Sequence, residues 1–355
     1  MPKFERVVLL SDSIRGHYHQ SLGVAEWLER LGGVHVEPFI NVPKFDGLAK
    51  LRMKYTAGKL KTGSAKYAAK WLAASGFQVS SESFGRGTLF ISAGSSPAPF
   101  CLALAKATGN KAAVIMTPSV LGTKPFDFAI IPEHDKHDPN DRNIITTLGA
   151  PNHIYTPELV KTAGMFFADR DFGQKVVAVL VGGSDANYKP SPEWARDTLG
   201  QLNYIDGVKV LLTTSRRTGK ETDDAVERIF AGSPKLGYML LMSRNPRVNA
   251  LTAMLGRATH VLVTEDSVSM VSEAVTAGFK VGLLRVPRIT NSVKKFFGYG
   301  AQRFDDLFAK MASRGLITDL GNNPDIAKFV RPETQRHNQD FNEAKRAAEW
   351  ILKHE

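Results

Sequence analysis

The sequence predicts two doubly wound α/β domains in tandem. Apolar runs of strand length recur along the 355 residues. They are near-continuous rather than alternating, as in parallel strands buried on both faces. Helical stretches separate them and supply the crossovers that parallel pairing needs. The runs also fall into two series, parted by residues 149–173.

The first series reads "RVVLLS", "TLFISAG", "KAAVIMT", "FDFAIIP" and "NIITTLG", and ends near Gly149. The second begins at "KVVAVLVGG" and continues through "GVKVLLTTS", "YMLLMSR", "HVLVTED" and "KVGLLRV". Helices are expected over 97–108, 193–203, 221–231 and 269–277, and from Ser21 onward after the first strand. The tail, "ETQRHNQDFNEAKRAAEWILKHE", has the pattern of a long polar amphipathic helix. These boundaries predict domains over 1–155 and 156–320, with a helical tail over 321–355 packing back on the first domain. In such sheets ligands bind at the carboxyl ends of the strands. A cleft between the two domains is therefore the expected site. Neither series opens with a G-x-G-x-x-G turn, and no Walker A motif occurs, so dinucleotide and P-loop readings are weak.

Composition narrows the class. No window approaches the roughly 18 to 20 apolar residues that span a bilayer. The N-terminus enters a strand almost at once, without a signal-peptide core, which predicts a cytoplasmic protein. The single cysteine, Cys101, sits in an apolar helical run and reads as a core thiol. The net charge of +11 suits a polyanionic partner. Much of it is local: Lys44, Lys50, Arg52, Lys54, Lys59, Lys61, Lys66 and Lys70 face one acid, Asp46, over residues 44–70. Apolar residues are interleaved with them. The segment reads either as a solvated helical face or as a patch docking on the inner, anionic face of a membrane. No nucleic-acid module is present, so nucleic acid is not the expected partner.

Four stretches could carry chemistry. In "SDSIRGHYHQSLGVAEWLERLG", Gly16, His17 and His19 stand at the junction of the first strand and first helix. An imidazole there can serve as a general base near neutral pH. In "VLVGGSDANY", the strand ends in Gly182, Gly183 and Ser184, small residues that allow backbone N–H groups to meet a phosphate. In "LLTTSRRTGKE", Ser215, Arg216, Arg217 and Thr218 follow a buried strand, a set suited to a diphosphate. In "HVLVTEDSVSMVSEAVTAGFKVGLL", Asp266 is the expected N-cap of a helix opening at Ser267, Val268, Ser269 and Met270. Glu273 follows on its first turns, where a carboxylate can accept from two ribose hydroxyls. Met270 also fits a core position. A fifth stretch, "IIPEHDKHD", offers Glu133, His134, Asp135, His137 and Asp138. It reads as a solvated loop or, at His134 and Asp135, as cleft lining; a metal site is the weaker reading.

The stretch "SVSMVSEAVTAGFKVGLLRVP" resembles the nucleotide-sugar motif of GT-B glycosyltransferases. "GHYHQSLGVAEWL" and Gly182–Ser184 are similar in order and spacing to the first loop and second-domain opening of the N-acetylglucosaminyltransferase that forms lipid II. As a set, "GHYHQSLGVAE", "FDFAIIPEHD", "TTSRRT" and "TEDSVSMVSEA" resemble the mitochondrial fission-factor family named for elongated mitochondria, over nearly the whole chain. Asp12 and Arg15 depart from the glycine-rich lead of the lipid II enzyme, so its acceptor geometry does not carry over.

The resemblance implies a GT-B-like fold, an N-terminal acceptor-side domain and a C-terminal domain holding a nucleotide-diphosphate sugar of UDP type. It implies His17 as the cleft histidine and Glu273 as the ribose carboxylate; with the stretches above, His17 is the expected base, and Gly16, His19, His134 and Asp135 are expected on the cleft or acceptor side. Gly183, Ser184, Ser215, Arg216, Arg217, Asp266, Ser267, Ser269, Met270 and Glu273 would hold the nucleotide sugar, without a metal or another cofactor. The expected activity is transfer of the sugar to an acceptor that is lipid-linked or part of the cell envelope. The alternatives are a non-catalytic adaptor on the same fold, or a nucleotide-sugar 2-epimerase or hydrolase.

Overall fold

The computed structural model describes residues 4–77, 83–138, 140–168, 170–289, 301–337 and 340–355. The chain divides into two compact units, residues 1–153 with 342–355, and residues 154–341. The division falls two residues before the expected position. Residues 321–341 go with the second unit, and only the last helix goes with the first.

The first unit is built on a parallel sheet of β1 (Arg6–Ser11), β2 (His35–Val36), β3 (Ile40–Asn41), β4 (Thr88–Ala93), β5 (Lys111–Ile115), β6 (Phe128–Pro132) and β7 (Ile144–Thr147). The order is β2-β1-β4-β5-β6-β7, with β3 also paired to β1. Strand periodicity sends Val7 and Leu9 into one core and Val8 and Leu10 into the other. Both faces need cover, which is why the sequence shows continuous apolar runs. Helix α1 (Arg15–Gly32) covers one face with Val24, Ala25 and Leu28. The C-terminal helix, Glu343–His354, joins it there, burying Ala344, Ala347, Ala348 and Ile351 at helical spacing. Asn342 caps that helix by accepting from the Lys345 N–H at 2.9 Å. On the other face lie α3 (Ala65–Ala74) and α4 (Ala98–Thr108), with Trp71 and Phe100 in the core. Between β3 and α3 runs α2 (Gly47–Gly58), of which only Ala57 is buried. Cys101 is buried in this core, and burial pushes its thiol pKa up to about 12, as fits a core thiol.

The second unit holds a parallel sheet of β8 (Lys175–Leu180), β9 (Val208–Thr213), β10 (Leu236–Leu240), β11 (His260–Thr264), β12 (Val281–Leu284) and β13 (Ile317–Asp319), in the order β10-β9-β8-β11-β12-β13. This is the 3-2-1-4-5-6 order of a dinucleotide-binding Rossmann sheet, although the glycine fingerprint is absent. Helix α5 (Leu159–Phe167) precedes the sheet, and its crossovers include α6 (Pro192–Leu199), α7 (Lys220–Phe230), α8 (Leu251–Arg257) and α9 (Val268–Thr276). In each sheet the strand order reverses once, between β1 and β4 in the first and between β8 and β11 in the second. Among the described residues, no helix is long and apolar enough to cross a membrane.

The two-residue strands β2 and β3 and the three-residue β13 escaped the sequence reading, because runs so short carry no periodic signal. Helix α1 also starts earlier than its amphipathic pattern, so Gly16, His17 and His19 lie inside its first two turns. Gly23, on α1, lets the helix lie against the chain at residues 152–153: a Cβ there would sit 2.1 Å from the Asn152 carbonyl oxygen. Ala at a helical Gly ordinarily stabilises by about 1 kcal/mol. Here the clash opposes that gain, and Gly23→Ala is expected to destabilise the protein by about 1–3 kcal/mol. A denaturant melt that shows equal or greater stability refutes the contact.

Candidate functional site

Two clusters of polar residues form, one in each unit, each at the point where the strand order reverses. In the first unit β1 ends in Ser11, and Asp12, Ser13 and Ile14 make the turn into α1. Asp12 is 7% exposed. One carboxylate oxygen accepts from the Ile14 N–H at 3.1 Å, and the other lies 3.0 Å from Nδ1 of His17. Burial pushes the Asp12 pKa up, but the His17 contact and the backbone N–H groups outweigh it, and the pKa falls below the usual carboxylate value. Asp12 is therefore ionised at neutral pH. An ionised carboxylate only accepts, so Nδ1 of His17 is the donor of this contact, and in the neutral tautomer it selects the lone pair lies on Nε2. Beneath the ring lies Gly94, at φ +85°, on the turn after β4. A Cβ there would be 2.6 Å from His17 Cε1. Only glycine tolerates both the conformation and the close approach. The result is an imidazole fixed in tautomer and position, with a basic nitrogen to offer.

In the sequence Asp12 stands out only as a departure from a related loop. Its spacing of five residues from His17, across a strand-to-helix turn, was the available signal. His19, also on α1, lies against His153 with ring centroids 4.0 Å apart and the rings tilted at 52°. His134 and Asp135 belong to the turn after β6, with β5 intervening between that strand and β4. Nearby, His137 Nδ1 meets the Asp135 carbonyl at 3.0 Å, and Lys124 pairs with Asp138 at 3.2 Å.

In the second unit, three turns meet around Asp266. Two expectations are corrected there. First, Asp266 is not the cap of α9. Ser267 occupies that position and makes no side-chain cap, while the Asp266 carboxylate turns inward. Second, the glycine turn after β8 does not present its N–H groups to a phosphate. The Gly182 N–H donates to Thr264 Oγ1 at 2.7 Å, Gly183 to Asp266 Oδ2 at 2.6 Å, and Ser184 to the Arg217 carbonyl at 2.9 Å. The turn is glycine because it packs against its neighbours. A Cβ at Gly182 would lie 2.0 Å from Asp266 Oδ2, and one at Gly183 2.1 Å from the Arg217 backbone.

The arginines are likewise engaged. Arg217 reaches Asp266 at 3.3 Å, the Gly183 carbonyl at 3.3 Å and Asp185 at 3.6 Å. Arg216 donates to the Pro246 carbonyl at 2.9 Å. Ser215 accepts from the Arg217 N–H at 3.1 Å, bending the β9 turn on itself. Thus Gly183, Ser184, Ser215 and Arg217 build the floor of this cluster, around one buried acid.

Helix α9 then begins with no acidic residue in its first turn. Helix geometry leaves the N–H groups of Val268, Ser269 and Met270 without intrahelical acceptors. Glu273 lies one turn further, at 7% exposure, on the face shared by Ser269 and Met270. Glu265, missed in the sequence, fixes this turn from behind. It pairs with Arg285 at 2.7 Å and with Arg288, and accepts from the Val286 N–H at 3.1 Å. Asp305 and Asp319 complete the network. No local pattern could reveal it, because its members lie on separate elements.

Two domains, each a six-or-more-stranded parallel sheet, with polar clusters at both reversal points, define a GT-B-type α/β protein. The chain belongs to the mitochondrial fission ELM1 family, whose family description matches residues 15–354. No match was found among curated proteins. Among solved structures it is similar to a putative UDP-N-acetylglucosamine 2-epimerase from Listeria monocytogenes, at 11% identity and a TM-score of 0.54, covering 99% of this chain and 95% of that one. It is also similar to UDP-GlcNAc 2-epimerase from Neisseria meningitidis bound to UDP-GlcNAc, at 11% identity and a TM-score of 0.51, covering 98% of both chains. A third is S. aureus MnaA in a co-structure with UDP, at 11% identity and a TM-score of 0.50, covering 100% of this chain and 96% of that one. These likenesses establish the fold.

Burial pushes the Asp266 pKa up to about 6, against the Thr264 and Gly183 hydrogen bonds and the Arg217 charge. A raised carboxyl pKa means that the folded state holds a proton which the unfolded state has released. Stability from this group is therefore full below pH 4 and declines as pH rises to about 6. The displacement from 3.8 to about 6 corresponds to about 3 kcal/mol. Asp266→Asn removes the titration. Its melting temperature, relative to wild type, is expected to rise between pH 4.5 and 6.5; a constant difference across that window counts against the raised pKa.

Proposed function

We propose that the protein is a glycosyltransferase that takes a sugar from a nucleotide-diphosphate donor of UDP type. The observation carrying this reading is the His17–Asp12 pair at 3.0 Å, an oriented base with an ionised partner. His17 Nε2 takes the proton of an acceptor hydroxyl. The oxygen attacks the anomeric carbon, and the bond from that carbon to the diphosphate breaks with its electron pair on the leaving group. Attack from the face opposite the leaving group inverts the anomeric centre. Asp12 stabilises the imidazolium as it forms. The donor belongs to the second unit. There the N-terminus of α9, over Ser267–Met270, suits a diphosphate, and Glu273 suits the ribose hydroxyls. Structural neighbours bound to UDP and UDP-GlcNAc support a donor of this class. The basic segment 44–70 supports a peripheral position on an anionic membrane surface, with a lipid-linked acceptor.

A second reading, a non-catalytic adaptor on the same fold, is favoured by membership in a mitochondrial fission family and by the glycine turn at Gly182–Ser184, whose N–H groups have internal acceptors. Hydrolysis or 2-epimerisation of the donor would need no acceptor, so incubation of nucleotide sugar alone separates both from transfer.

His17→Ala is expected to lower turnover by about 10²–10⁴ and leave UDP affinity nearly unchanged. Asp12→Asn, which cannot offset the imidazolium charge, is expected to lower turnover by about 10² or more. Wild-type rates in both variants would remove the pair from the mechanism, whereas a wild-type protein without turnover favours the adaptor. Glu273→Gln is expected to weaken UDP binding by about 1.5–3 kcal/mol, the scale of hydrogen bonds to a charged group. Equal affinity by calorimetry removes Glu273 from the donor site.

A further inference from the structure

The first unit carries a cavity of about 490 Å³ at the carboxyl ends of β1, β3, β4 and β5. One wall is α2, which turns Lys50, Met53, Lys54 and Ala57 toward it. These are positions i, i+3, i+4 and i+7, a single helical stripe. Trp71, Phe100 and Leu121 add apolar surface from other elements. Lys44 joins Lys50 and Lys54 at the cavity, and all three are exposed. The lining is thus largely apolar, and at its solvent side three lysines outnumber one acid, Asp46, beside the hydroxyls of Ser95 and Ser96. Asp12, the partner of His17, also lines the cavity, from the turn after β1.

The other side of α2 is unusual for a helix of a globular domain. Leu48 is 84% exposed, Leu51 64% and Tyr55 72%. They form a second stripe at i, i+3 and i+7, away from the cavity. The helix is tied down at its C-terminal end, where Trp71 Nε1 donates to Thr56 Oγ1 at 3.0 Å and the Tyr67 hydroxyl donates to the Thr56 carbonyl at 2.9 Å. An apolar stripe flanked by lysines, with no core to face, has the composition of a helix lying in a lipid interface. The eight basic residues of 44–70 against one acid select an anionic surface.

We propose that this cavity binds an amphiphile with a hydrocarbon body and a phosphate head, taken from an anionic lipid surface on which the outer stripe of α2 rests. The hydrocarbon meets Met53, Trp71 and Phe100, and the phosphate meets the ammonium groups of Lys50 and Lys54. As the identity of the acceptor, this rests on the transferase reading, since Asp12 joins the cavity to His17.

The test uses the whole protein and two readouts. Calorimetry compares octyl phosphate, octanol and inorganic phosphate. Sedimentation compares vesicles of phosphatidylcholine with and without phosphatidic acid. Octyl phosphate is expected to bind more tightly than either of its halves. The Lys50→Glu/Lys54→Glu variant, altered only at exposed positions, is expected to weaken it by about fivefold or more for each lysine. The Leu48→Ser/Leu51→Ser/Tyr55→Ser variant is expected to keep octyl phosphate affinity and lose sedimentation with phosphatidic acid vesicles. Equal binding of octyl phosphate and octanol, or of octyl phosphate and inorganic phosphate, overturns the proposal. So does equal affinity in the lysine variant, or wild-type protein that stays in the supernatant with both vesicles. Neither readout depends on turnover. A protein that binds octyl phosphate in this way but transfers no sugar keeps the site and loses the transferase reading. A protein that binds UDP and transfers sugar, but ignores octyl phosphate, does the reverse.

Discussion

A parallel strand buried on both faces leaves only its ends for polar chemistry. That constraint organises both units. Val7 and Leu9 point into one core and Val8 and Leu10 into the other, so nothing between Arg6 and Ser11 can carry a charge. The first polar groups appear at Ser11 and Asp12, where the strand stops. The same holds on β11, where Thr264, Glu265 and Asp266 follow a run of apolar residues. Each cluster sits where neighbouring crossovers leave in opposite directions, which opens space above the sheet.

Buried acids then act as the keystones of those ends. Asp12 holds His17, Asp266 ties the β8 turn to Arg217, and Glu265 gathers Arg285 and Arg288. Removing a carboxylate from water is costly unless hydrogen bonds and opposite charges replace the solvent. Asp12 and Asp266 meet that cost to different degrees. Around Asp12 the partners win and the pKa falls, whereas around Asp266 burial wins and it rises. The first is suited to a steady negative charge beside a base. The second can change its protonation near neutral pH.

The helix α2 departs from this economy of burial. Only Ala57 is buried, and large apolar side chains face outward. Its basic residues would repel one another less against an anionic surface than in water, where only salt screens them. A helix of this kind is stable as part of a cavity wall, through Thr56 and Ala57, while its opposite side remains available.

The sequence by itself determined the class of the fold. Continuous apolar runs can be satisfied only by cover on both faces, and their alternation with helices leaves only a parallel sheet. It also determined where polar residues gather, because a strand end is marked by a change of residue type that needs no tertiary information. What the tertiary structure decided is the partner of each polar group. Gly182 and Gly183 looked like a phosphate cradle, yet they are small because Asp266 and the Arg217 backbone lie against them. Asp266 looked like a helix cap and became the centre of three turns. Asp12 gained its role only when the β1 turn brought its carboxylate to His17, with Gly94 beneath the ring. Local pattern reports which groups a turn contains. Hydrogen bonds and close approaches between turns from distant parts of the chain depend on strand order, and strand order is fixed only when the whole sheet assembles.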